Sequence, residues 1–244
     1  MNPAVETFIL MALPYVALAA FAGGLFWRSR SGMTVTSRSS KILESRILRW
    51  GAIPFHLGIV TLAVGHLVPL IVPGWWQRFV ADSRVLLTVE AIGLGAGVLC
   101  AIGLAVLLAR RVLVPALRAE SRRADAFVLA LLLAQVLLGI GVAVFHRWGA
   151  VWSVRTTTPY LWSVALLQPE APFVAGMPLL VGFHIATAWI ILLLIPFTRL
   201  IHMFALPVGY LWRAPQRVIW IARRSRTQPK ETRKSAGTVA PVSS

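Results

Sequence analysis

Apolar residues in this chain come in long unbroken blocks, not in the short alternation of strands. Five blocks stand out, at roughly 5–27, 50–73, 85–109, 125–146 and 178–203. Each is long enough to cross a hydrocarbon core, which takes about 20 residues at about 1.5 Å each. Inside lipid the backbone must satisfy its own hydrogen bonds, and without strand-like alternation only helices do this. The pattern predicts an all-α integral membrane protein, a bundle of five transmembrane helices. Pro73-Gly74 closes the second block. The connection from Trp148 to Met177 carries a stretch, Pro159 to Pro169, that suits an interfacial helix. Gly93, Gly95, Gly97 and Gly103 line the third block, where small residues either let helices approach closely or leave room for a flat cofactor.

Composition agrees with the blocks. Of 244 residues, 58% are hydrophobic and 13% charged, and the mean hydropathy is +0.77. That is too apolar for a soluble domain of this length. A formal net charge of +16 would otherwise suggest a nucleic-acid partner, so its placement decides the matter. The first connection holds Arg28, Arg30, Arg38, Lys41, Arg46 and Arg49, and the third holds Arg110, Arg111, Arg118, Arg122 and Arg123. The tail adds Arg213, Arg217, Arg223, Arg224, Arg226, Lys230, Arg233 and Lys234. The second and fourth connections hold only Arg78, Arg84, Arg147 and Arg155. Such alternation predicts the N-terminus outside and the C-terminus inside. The basic excess is then a topology signal and a contact for anionic lipid, with no nucleic-acid partner. Trp27, Trp50, Trp75, Trp76, Trp148, Trp152 and Trp212 fall at or near span ends, as an aromatic belt does. The start, Met1 to Glu6, lacks a basic segment and a small-residue cleavage site, so the first block is expected to be a retained span. Residues 1–222 are expected to form the membrane domain and 223–244 a basic, disordered cytoplasmic tail.

The candidate chemistry lies in histidines. An imidazole within a span is costly and marks a functional site. His56 and His66 lie in the second block, His184 and His202 in the fifth. Because the two spans run in opposite directions, the uncrossed pairs are His66 with His184 towards the outside and His56 with His202 towards the inside. Two stacked bis-imidazole sites are what a two-haem conduit requires, since iron takes axial ligands on opposite faces of the porphyrin. The spacings are unequal: ten residues, about 15 Å of helix, against eighteen, about 27 Å. Pro196 can kink the fifth span, and tilt can absorb the rest. Other uses remain open: packed histidines bonded to carbonyls, or a proton relay, for which Glu90 is the available carboxylate. A zinc or copper ion fits less well, because the pairs are too far apart to share one. One cysteine, Cys100, rules out an iron–sulfur site made of four cysteines of this chain, and there is no C-x-x-C-H for covalent haem. His146, at the outer end of the fourth span, has no evident partner.

The run Phe55-His56-Leu-Gly-Ile-Val-Thr-Leu-Ala-Val-Gly65-His66 and the run Pro196-Phe-Thr-Arg199-Leu-Ile-His202, followed by Pro207 and Tyr210, resemble the haem-b gamma subunit of respiratory nitrate reductase. Gly97-Val-Leu-Cys100, Arg110-Arg111 and Gln135-x3-Gly139 fit the same pattern, and the likeness covers about residues 5–220. It implies a bacterial cytoplasmic-membrane protein with two haem b groups, the outer on His66 and His184, the inner on His56 and His202. It also implies oxidation of a quinol, menaquinol or ubiquinol, near the outer haem. Electrons would pass to an iron–sulfur beta subunit and a molybdenum-containing alpha subunit on the cytoplasmic face. Gly65 matches the family beside the quinol site, and Arg84 takes the place of its basic residue after a one-residue gap. Arg199 is either a partner of a haem propionate or an ordinary inner-face arginine. Glu90 and the basic tail stand outside the family pattern. Two alternatives remain: the cytochrome b subunit of a heterodisulfide-reductase-like complex, and a histidine-relay proton channel or transporter.

Overall fold

The five apolar blocks fold into five helices long and apolar enough to cross a membrane. The structure, a computed structural model, describes residues 3–31, 45–114 and 123–203, all within one compact unit, Met1–Leu206. Among the described residues every regular element is helical. The spanning helices are α1 (Ala4–Arg30), α2 (Ser45–Ile71), α4 (Ser83–Leu113), α5 (Arg123–Phe145) and α8 (Leu179–Leu194). Among the described residues three short helices lie between them: α3 (Pro73–Phe79), α6 (Gly149–Arg155) and α7 (Thr157–Ala165). The stretch from Pro159 is thus helical as far as Ala165, within α7, while α3 and α6 carry no sequence signal strong enough to announce them. Pro207, Tyr210, Trp212, the tail and most of the first and third connections lie outside the described residues.

Exposure shows which helix faces meet lipid. Leu57, Val60, Val64, Leu67 and Ile71 of α2 are all more than half exposed, and their steps of three and four make one stripe. In water such a stripe would be a liability; in hydrocarbon it is the expected surface. The opposite face of α2 packs on α4 through small residues. A Cβ on Gly58 would lie 2.6 Å from the Ala96 carbonyl, and one on Gly103 only 2.5 Å from the Phe55 backbone nitrogen. Gly51 meets Leu107 in the same way, at 2.8 Å. Of the third-block glycines, Gly103 serves close packing and Gly97 rests against Ile140 at 3.1 Å, whereas Gly93 and Gly95 have no neighbour within 4 Å. On its other side α4 packs on α5 around Cys100, Leu104, Val128, Leu132 and Val136. Helix α8 packs on α1 and α5. The two histidine-bearing helices, α2 and α8, are therefore linked through α4 and α5 more than through each other.

The short helices cap one end of the bundle. Tyr160 of α7 is fully buried with Leu10, Val164, Val174, Val181 and Ile185. Its hydroxyl donates to the Leu10 carbonyl at 2.9 Å, inside a π-helical turn of α1 at Phe8–Ala12, where the wide turn disturbs the regular backbone pairing. Burial pushes the Tyr160 phenol up to about 12, which keeps its proton on for that bond. Glu90 accepts the Ala150 backbone N–H at 2.8 Å, tying α4 to the start of α6. Trp76, expected in the aromatic belt, is instead buried, and its indole N–H donates to the Ala150 carbonyl at 2.8 Å. Trp27, Trp50, Trp75 and Trp148 are exposed as a belt requires. Glu90 thus has a structural task, and Glu90→Ala should remove a charge-assisted bond worth about 1.5–3 kcal/mol. A lower unfolding temperature of the purified protein, with its spectrum unchanged, would register that loss.

The fifth span departs from the expected continuous run of 178–203. Its α-helix ends at Leu194, a 3-10 turn covers Ile195–Phe197, Thr198 is extended (φ −124°, ψ 179°), and a second 3-10 turn covers Arg199–Met203. Pro196 explains the break, because it lacks the N–H for the helix ladder and its ring crowds the preceding turn. Helix α1 holds the break in place. A Cβ on Gly24 would fall 2.6 Å from Pro196 Cβ, so only glycine admits the proline ring, and Arg28 Nη1 donates to the Pro196 carbonyl at 2.9 Å.

Candidate functional site

Both histidine pairs expected from the span directions are formed. The His66 and His184 ring centroids lie 6.4 Å apart, with planes at 44°; those of His56 and His202 also lie 6.4 Å apart, with planes at 64°. The break after Leu194 is what permits this. From His184 to Leu194 is ten residues of helix, the same length as His56 to His66, or about 15 Å in each case. The remaining eight residues to His202 turn through two 3-10 segments and an extended residue instead of advancing as a helix. The mismatch in spacing is thereby resolved by local backbone geometry at Pro196.

Three of the four rings are oriented by their own helices. Nδ1 of His56 donates to the Ala52 carbonyl and Nδ1 of His66 to the Leu62 carbonyl, each at 2.7 Å. Nδ1 of His202 donates to the Arg199 carbonyl at 2.6 Å. A carbonyl only accepts, so the proton is on Nδ1 and the Nε2 lone pair is left for a ligand bond. His184 differs: its Nδ1 is buried without a hydrogen-bond partner, and the Gln135 backbone is the polar group beside it. Helix α5 makes its seat. A Cβ on Gly139 would lie 2.9 Å from His184 Cε1, and one turn earlier the Gln135 amide oxygen accepts the Thr187 hydroxyl of α8. Residues four apart share a helix face, which gives the Gln135-x3-Gly139 motif a physical meaning: one residue ties the helix, the other clears the ring.

The haem expected from the sequence can be tested against this geometry. Ring nitrogens lie about 1 Å from the centroid, so at 6.4 Å even directly opposed nitrogens come no closer than about 4 Å, beyond the roughly 3.2 Å limit of a hydrogen bond. The same separation suits two metal–imidazole bonds of about 2 Å each. His56, His66 and His202 are also exposed, an expensive placement in hydrocarbon unless the rings bind something. Each pair offers two imidazoles from opposed segments, and no cluster of three or more metal-ligating side chains occurs among the described residues. That donor set fits axial ligation of iron in a macrocycle and does not fit a closed four-ligand zinc site.

The remaining candidates are more dispersed. Gly65 is exposed, with no atom within 4 Å of where its Cβ would be. Pro69, four residues on, has no N–H to offer the Gly65 carbonyl. Arg84 sits exposed in the first turn of α4, its backbone N–H bonded to the Asp82 carboxylate at 2.8 Å. No side-chain bond joins Arg84 to Gly65 or His66 among the described residues. Arg199 is 62% exposed and its Nε lies 3.3 Å from Asp125 Oδ2, which also meets Arg111 at 3.1 Å. His146 lines a cavity of about 350 Å³ with Arg147, Trp152, Met177 and Val181, and none of the four paired histidines is in its lining. Asp125 was not foreseen, because one acidic residue at a span boundary is unremarkable until its partners on two other segments are known.

Five apolar helices and two histidine pairs define a multi-pass helical membrane protein. Residues 6–221 match the family model described as nitrate reductase gamma subunit, and the chain belongs to that family. It is 32% identical over 206 residues to the nitrate reductase gamma chain of Bacillus subtilis, covering 83% of this chain and 92% of that one. It is also 32% identical over 211 residues to the respiratory nitrate reductase 1 gamma chain of Escherichia coli, covering 84% and 93%. A nitrate reductase-like protein NarX of Mycobacterium tuberculosis is 33% identical over 227 residues, but the match spans 91% of this chain and only 34% of that longer protein.

Proposed function

We propose that this chain is the dihaem cytochrome b subunit of a quinol:nitrate oxidoreductase, oxidising quinol near the outer face of the bacterial cytoplasmic membrane. It delivers electrons to an iron–sulfur beta subunit and a molybdenum-containing alpha subunit on the inner face, and does not itself reduce nitrate. The observation that carries this is the pair of equal 6.4 Å ring separations at two depths, on a chain of the nitrate reductase gamma family. The alternation of basic residues supports an N-terminus outside and a C-terminus inside, with 223–244 as a cytoplasmic tail. On that orientation His66 and His184 hold the outer haem, and His56 and His202 the inner one. Bound there, the two haems supply one-electron carriers across the membrane.

The chain's own groups do the rest. Gly65 leaves a quinol ring free to approach His66, and its carbonyl, denied a partner by Pro69, is an acceptor for a quinol hydroxyl. Arg84, on the same outer side, offers a cation to the oxygen that loses its proton. Oxidation breaks both O–H bonds, releases two protons outside and passes two electrons inward. Each charge moved against the membrane potential costs about 2.3 kcal/mol per 100 mV, supplied by the downhill transfer to the acceptor. Arg199, with most of its side chain exposed and only its Nε turned to Asp125, retains donors for a propionate of the inner haem.

The test is a redox cycle in membranes containing the whole complex. A menaquinol analogue should reduce the b-type absorbance, and nitrate should reoxidise it. Reduction by quinol without reoxidation by nitrate would reject the nitrate-reducing partner and favour another redox complex. A narrower check concerns the seat of His184. Gly139→Ala should strain that ring by about 1–3 kcal/mol, altering the low-spin EPR signal of the outer haem and leaving the inner one as it was.

A further inference from the structure

Asp125 is not absorbed by the function above, yet it is the acidic group at the inner end to which two arginines converge. Its side chain is only 10% exposed and lies in the first turn of α5. Arg111, in the last turn of α4, approaches it to 3.1 Å, and Arg199, in the 3-10 turn after the α8 break, to 3.3 Å. Arg199 also presents its backbone carbonyl to His202 Nδ1 at 2.6 Å. His202 in turn faces His56. A continuous path therefore runs from a shielded carboxylate, through Arg199, to the ring of the inner ligand.

The last turn needs such an anchor. His202 does not sit on a long helix: Leu194 ends α8, Thr198 is extended, and only a 3-10 turn carries the ring. The Pro196 side of the break is fixed by Gly24 and Arg28 of α1. On the far side of Thr198, Ile201 is buried, and the ion pair with Asp125 is the polar tie. His56 has no comparable need, because it lies within the continuous helix α2.

We infer that Asp125 is a positioning residue for the inner haem ligand: by holding Arg199 it fixes the carbonyl that sets the tautomer and aim of His202. The proposal rests on the assignment of His56 and His202 as haem ligands. Partners behind a ligating histidine typically change metal retention by about 10–100-fold when lost. In the whole membrane complex, Asp125→Asn should reduce retention of the inner haem by roughly ten-fold on this scale, or displace its EPR g-values and midpoint potential where it stays bound. The outer haem should be unchanged, and Asp125→Glu should restore most of the inner signal. If Asp125→Asn does not accumulate, Arg111→Gln loosens the same carboxylate without removing the donor proposed for the inner-haem propionate, and should affect the inner haem alone. Unchanged inner-haem spectra and potential in the variant that accumulates would overturn the proposal, as would equal loss of both haems, which marks a general packing role. Wild-type complex with no haem would instead reject the ligand assignment itself.

Discussion

The His184→Ala protein is expected to reach the membrane and keep one haem, the inner, while losing the outer haem and with it quinol-driven electron transfer. His184 is one of the two ligands proposed for the outer haem, its ring 6.4 Å from that of His66, and alanine offers no donor in its place. Its seat on Gly139 is a cleared space and not a structural keystone, so the fold should survive. EPR of the oxidised complex should show one low-spin signal where wild type shows two. Quinol-dependent nitrate reduction should fall to background, while an artificial donor acting directly on the inner-face subunits should still support nitrate reduction. Loss of both signals together would mean that the two sites are not independent.

The second large effect is structural. Gly103→Val is expected to prevent stable accumulation of the chain. A Cβ there would sit 2.5 Å from the Phe55 backbone nitrogen and 2.7 Å from the Gly51 carbonyl, so it meets backbone on the facing helix, which cannot rotate aside. Overpacking commonly costs about 1–3 kcal/mol; here the only relief is separation of α2 from α4, and that would carry His56 and His66 away from their partners. Gly93→Val has no such neighbour within 4 Å and should accumulate normally. Immunoblots of membranes carrying each variant would compare the two directly.

These two outcomes also separate what was legible in the sequence from what was not. Hydropathy blocks reveal spans because the cost of polar groups in hydrocarbon is local to each segment. The five expected spans accordingly agree with the helices to within a few residues, except at the end of the fifth. The pairing of His66 with His184 and of His56 with His202 followed from strand-free, antiparallel geometry and required no contact to be known. Gly51 carries no signal in the sequence, and Gly58 stands in the His56 motif without revealing its packing task, since a glycine's task is defined by the helix opposite it. The same holds for Arg28, whose partner Pro196 lies 168 positions away, and for Asp125, whose two arginines come from separate segments. Pro196 marked where the fifth span would bend, but not that the helix would stop there. That outcome depends on Gly24 admitting the proline ring and on Arg28 taking up its carbonyl.

The central claim is that each histidine pair binds one haem b. Its most direct test is a reduced-minus-oxidised spectrum of the purified complex, together with a haem-to-chain ratio, for wild type, His66→Ala and His56→Ala. The account predicts two b-type haems per chain in wild type and one in each variant, with different EPR signals surviving in the two. A wild-type complex without b-type absorbance, or single variants that keep both haems, would contradict it.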